Sequence, residues 1–170
     1  MKIEKMKPEK IAEIAKNEGF EAAILSPNDL EFDFTYRKYC KENLCGNYAQ
    51  SGYCPPLCKD AEELKNEVLK HKFVLVLKSS HKISDLSDRE KIKAAGQAHN
   101  AATLRLLSRF QNFGGALAFC TSCDVWAPPN STAACLSAYC VNVAAMAEKC
   151  NLTYAYKDPT LPLFGFITLD

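Results

Sequence analysis

The stretch from Cys40 to Cys58 constrains this chain more than any other. It carries four cysteines in the spacing C-x4-C-x8-C-x3-C, set among glycine, proline, asparagine and serine. A cysteine that serves only as a small core hydrophobe sits among other core residues, and these do not. Thiolates that grip a soft metal centre must approach it from several directions, so the backbone between them has to fold tightly. Gly46 and Gly52 permit such turns, and Pro55-Pro56 stiffens the exit from Cys54. Cys40, Cys45, Cys54 and Cys58 are therefore candidate ligands of one metal site.

Spacing alone leaves the metal open. Structural zinc takes cysteine pairs in short knuckles, and Cys40/Cys45 and Cys54/Cys58 fit at the generous end. Iron–sulfur sites include C-x4-C steps and can carry proline directly after a ligand, as in Cys54-Pro55. A disulfide framework is disfavoured on two grounds. Nine cysteines cannot all pair. The charged segment Met1 to Lys7 also has no apolar stretch behind it, which leads us to expect a cytoplasmic protein with reduced thiols. Basic and acidic side chains number 21 and 20, for a net charge of +1, which gives no electrostatic reason to expect nucleic acid or an anionic membrane as partner. No apolar run is long enough to span a bilayer.

The rest of the chain reads as a single mixed α/β domain over residues 1–170. Pro8 to Glu18 has helical spacing closed by Gly19, and Ala22 to Leu25 reads as a strand. Ser26-Pro27-Asn28-Asp29 starts a turn, and 31–58 is irregular. Asp60-x-x-Glu63 is a capping box opening a helix to about Lys70, and Phe73 to Leu77 is a continuous apolar run, hence a central strand. Ser87-x-x-Glu90 is a second capping box, expected to open a long helix to about Gln111. Its apolar stripe includes His99, which reads as a core histidine, while His71 and His81 flank a strand and are expected to be exposed. Ala116 to Phe119 reads as a strand, Ala133 to Lys149 as a helix with a possible break near Asn142, and Leu163 to Leu169 as the last strand. Each half then runs helix, strand, cysteine loop, helix, strand, and the halves pack as helices on a small sheet. If the halves are equivalent, the two cysteine loops leave equivalent strand ends and are expected to lie near each other.

The second cysteine loop holds Cys120-x2-Cys123 and then Trp126. This pair can be part of a second or shared metal site, or a thiol-redox pair. Adding Cys135 and Cys140 completes a second set of four, but on one continuous helix those two lie about 140° apart and cannot converge. Trp126 can shield a metal from water or simply pack. Cys150, and with it Cys135 and Cys140, also suits a core position.

At these residues the sequence resembles a family of bacterial and archaeal predicted metal-binding proteins, a domain of unknown function. The resemblance rests on Cys40-x4-Cys45-Gly46-Asn47-Tyr48 with Tyr53-Cys54-Pro55-Pro56, and on Cys120-x2-Cys123 with Ser137-Ala138-Tyr139-Cys140-Val141-Asn142-Val143. It implies a cysteine-ligated metal, with an iron–sulfur centre in view, and no known reaction. Carried over residue by residue, it falls on Cys40, Cys45 and Cys54, whereas Cys58 stands where the family varies. Relatives show C-x2-C-x2-C in the second loop, and here Trp126 takes the third cysteine's place. Cys140 stands where relatives have glycine. With no Ser/His/Asp grouping, phosphate loop or HExxH helix in the chain, three expectations remain. The first is a [4Fe–4S]-type cluster serving electron transfer to a redox protein partner. The others are a zinc-stabilised structural or partner-binding module and a thiol-redox enzyme using Cys120 and Cys123.

Overall fold

The computed structural model describes residues 5–121 and 126–170. The elements, in chain order, are α1 (Pro8–Asn17), β1 (Glu21–Leu25), α2 (Tyr36–Lys41), α3 (Ala61–Leu69), β2 (Phe73–Lys82), α4 (Arg89–Ser108), β3 (Ala116–Phe119), β4 (Thr132–Cys135), α5 (Val143–Lys149) and β5 (Thr160–Leu169), with a 3-10 turn at Pro27–Asp29. The expected α/β class, helices on a small sheet, is what the chain forms.

The unbroken apolar run in β2 has a direct cause. Val74 and Val76 face one side of the sheet, Leu75 and Leu77 face the other, and all four are fully buried. A strand covered on both faces has no solvent side to make polar. On one face α1 and α4 deliver Ile11, Ala15, Leu106 and Leu107 against Leu117, Phe119 and Ile167. On the other, α3 and α5 deliver Leu64, Val68, Met146 and Ala147 against Ala118, Tyr139 and Phe166. The sheet order is β1-β2-β5-β3-β4, antiparallel throughout except for the parallel pair β3–β4.

Read outward from the β2–β5 pair, this order is two-fold: β1 corresponds to β3 and β2 to β5, with β4 added to the second half. An axis perpendicular to the sheet reverses strand direction but keeps faces. It therefore also relates α1 to α4 and α3 to α5, which share faces as required. The C-terminal ends of β1 and β3 consequently point to opposite ends of the sheet, because three antiparallel pairings separate them. The first cysteine loop reaches the second only by crossing the α3/α5 face. Along that path Phe32 bridges Val141, Asp33 N–H donates to Cys140 O at 2.8 Å and Asn142 N–H donates to Glu31 O at 2.8 Å.

Three local expectations are corrected. The cap of α4 is Asp88, whose carboxylate accepts Lys91 N–H, while Ser87 turns back to Asp85. The irregular segment contains the short helix α2. The stretch from Ala133 to Lys149 is not one helix. Its first part is strand β4, and a helix starts only at Val143, where the Asn142 side chain accepts Ala145 N–H at 3.1 Å.

His99 is buried as expected, 1% exposed, with Nδ1 2.6 Å from Ser79 Oγ. The same hydroxyl meets His81 Nε2 at 2.7 Å, so His81 is tied in and half-buried rather than exposed. His71 is likewise only partly exposed, with Nδ1 3.1 Å from Asp170. Among the described residues His99 Nε2 has no hydrogen-bond partner. It lies against Gly165 of β5, where an added Cβ would stand 3.0 Å from Nε2 and 2.6 Å from Ala118 O.

Candidate metal centre

The parallel strands β3 and β4 end side by side, with Phe119 opposite Cys135. Cys120 leaves the end of β3, and Cys135 is the last residue of β4. The first cysteine loop is fastened to this sheet end by a backbone bond, Cys135 N–H to Tyr53 O at 2.8 Å. That bond sets Cys54 beside Cys135, and their sulfurs stand 3.1 Å apart. Tyr53 adds a second anchor, with its ring edge-on to Phe119 and its hydroxyl accepting Ala127 N–H at 2.9 Å.

Cys40 sits near the end of α2, and Arg37 one turn earlier holds that helix in place. The guanidinium donates from Nε to Ala138 O at 2.9 Å and from Nη2 to Lys59 O at 2.6 Å. Cys45 follows in a tight turn. Asn43 takes the left-handed conformation at φ 58°, its side chain accepts Tyr48 N–H at 2.9 Å, and Gly46 has φ 78°. These conformations are ones that asparagine and glycine adopt readily.

Cys40, Cys45, Cys54, Cys120 and Cys135 all line one cavity of about 90 Å³. Of the sequence-proposed ligands, the structure thus brings together Cys40, Cys45, Cys54 and Cys120. Cys58 is not on the cavity wall. It lies one helical turn past Cys54, its N–H bonded to Cys54 O at 3.1 Å, and packs against the α3/α5 side of the core. Cys123 falls outside the described residues. Cys140 is fully buried and Cys150 packs on the core, as the hydrophobic reading expects. Cys135 does not follow that reading alone, since it reaches the cavity. Its sequence signal was masked by Thr132-Ala133-Ala134, which reads more readily as helix than strand. Trp126 is 93% exposed, so the packing reading does not hold.

Burial is the main force on these thiols, and it opposes ionisation. It raises the Cys40 thiol above its ordinary range, helped by the neighbouring Cys45 and opposed by Arg37. Burial likewise raises Cys58, again against Arg37. Cys120 is pushed up to about 12 by burial, with the Phe164 backbone N–H acting in the opposite direction. A nucleophilic thiol needs the reverse shift.

Among the described residues, no three His, Cys, Asp or Glu side chains already stand at the spacing that holds one metal ion. The residue types fit a soft metal: five cysteines line one space, and among the described residues no carboxylate does. One water fills about 10–15 Å³ of such space, so the cavity has room for several atoms. A family model described as "Predicted metal-binding protein", DUF2284, matches residues 23–169. The chain belongs to this family. The match takes in both cysteine loops and every strand except the first two residues of β1. No curated protein and no solved structure matches the chain. The family carries a predicted metal-binding domain of unknown function, and in this member the cysteines cluster at the β3–β4 end of the sheet.

Proposed function

We propose that this chain holds an iron–sulfur cluster in the cysteine cavity and acts as an electron-transfer or redox-support module, with a redox protein as partner and the cytoplasm as its compartment. The observation that carries this reading is that five cysteines, three of them from the first loop, line one cavity of about 90 Å³, which has room for more than a single ion. Cys40, Cys45 and Cys54 supply three thiolates from the first loop. When bound, such a cluster supplies one-electron chemistry at a potential set by burial and by hydrogen bonds to sulfur. The chain's own contribution is to fix those settings. Arg37 places positive charge near Cys40 and Cys58. Tyr53 and the β3–β4 end hold the loop so that the sulfurs stay grouped.

Anaerobic purification followed by iron and sulfide analysis and a visible spectrum tests the reading. The expected result is iron with acid-labile sulfide and a broad visible absorption that bleaches on reduction. Protein without iron that gains none on reconstitution overturns it.

A second reading is a zinc-stabilised structural module. Zinc–thiolate bonds of ~2.3 Å in a tetrahedron place sulfurs about 3.8 Å apart, so Cys54 and Cys135, at 3.1 Å, would have to part only slightly to share one ion. It predicts one colourless, redox-silent zinc per chain. The thiol-redox reading loses support from the direction of the Cys120 shift.

A further inference from the structure

We propose that Cys135, rather than Cys58, supplies the fourth sulfur of the metal centre. The proposal rests on reading the cavity as a metal centre and completes its ligand set. It joins residues from the two halves of the chain: three thiols from the loop after β1, and one from the end of β4.

Four observations carry it. Cys135 lines the cavity with Cys40, Cys45 and Cys54, and Cys58 does not. The Cys135 and Cys54 sulfurs are in direct contact, at 3.1 Å. At that distance one thiol can donate to the other, and a soft metal that displaces their protons would find both sulfurs within reach of one site. The bond from Cys135 N–H to Tyr53 O makes this juxtaposition a property of the backbone, not of one rotamer. Cys58 lies near enough to Cys54 and Cys40 to feel their charge, but it is off the cavity wall and packs against the α3/α5 core.

Cys120 also lines the cavity and is the competing sulfur, which the test separates from Cys135.

The test uses the full chain with Cys135→Ser, Cys58→Ser and Cys120→Ser, each checked for folding by circular dichroism. Each is reconstituted anaerobically with ferrous iron and sulfide, and separately with zinc alone. Metal per chain, visible absorption and zinc affinity against a chelating dye are read. Cys135→Ser is expected to lose the visible band and to weaken zinc by more than the ~10–100-fold typical of losing an outer-shell partner. Cys58→Ser is expected to keep wild-type metal content and spectrum, and Cys120→Ser to lose less than Cys135→Ser. Loss in Cys58→Ser or Cys120→Ser with retention in Cys135→Ser overturns the assignment while leaving the metal centre intact. A wild-type chain that takes up neither iron nor zinc rejects the metal centre itself. Should Cys135→Ser fail to fold, Cys58→Ser still decides: a folded variant that cannot hold metal overturns the assignment, and one with the full wild-type band supports it.

Discussion

At the scale of single residues, burial sets charge. Burial lowers the His99 pKa from 6.5 to about 3, so this imidazole stays neutral in the folded chain. As pH falls below about 6.5 the unfolded chain takes up the proton first, so the stability of the fold declines towards pH 3. The slope is at most ~1.4 kcal/mol per pH unit for one such group. His81, also lowered by burial, acts in the same direction. Urea unfolding at pH 7 and pH 5 is expected to show this loss, and His99→Gln to flatten it. Space is as strict as charge at Gly165. A methyl group there would meet Ala118 O at 2.6 Å and the His99 ring at 3.0 Å. Gly165→Ala is expected to destabilise the chain by about 1–3 kcal/mol, read from the urea midpoint. Cys140 gives a different lesson. It holds φ 60°, a left-handed conformation that costs a side chain about 1–2 kcal/mol. Glycine would hold this conformation without that cost, so the chain accepts strain here.

At the scale of elements, capping and clamping decide where the site forms. Arg37 bonds Ala138 O and Lys59 O, joining α2 to the turn after β4 and to the end of the first loop. Arg37→Gln keeps some polarity but not the fork. It is expected to release metal faster to a chelator than wild type, with the far-ultraviolet spectrum unchanged. Much of this layer was legible in the sequence: Asp60 caps α3 as its spacing announced, and the apolar runs at 73–77 and 116–119 are strands. What was not legible has physical causes. Alanine is a strong helix former, so Thr132-Ala133-Ala134-Cys135 looks helical, and only its parallel pairing with β3 makes it a strand. Helix α2 is six residues long, too short for periodicity to declare itself. The nearness of Cys54 and Cys135 was beyond local pattern altogether, because 81 residues separate them and one backbone bond brings them together. The cysteine loop announced its chemistry, but its partner sulfur was set by the sheet.

At the scale of the whole molecule, the candidate site spans both halves of a two-fold arrangement. A metal held there links the first loop to the end of the second half's sheet. Bound metal stabilises the folded state by mass action, about 2.7 kcal/mol at a free concentration one hundred times Kd. The metal-loaded chain is therefore expected to melt above the chelated one, and the gap to shrink in any variant that loses a ligand. The seam between β2 and β5 carries a further consequence. Ten residues of each strand pair there, from Phe73 with Leu169 to Lys82 with Thr160. A fragment stopped at Lys82 would expose the inner edge of β2 as a long row of unanswered amide and carbonyl groups, a ready template for another chain. Two such fragments brought together head to tail would each find on the other the surface that the intact chain finds on itself, so the half-molecule is expected to appear as a homodimer in sedimentation.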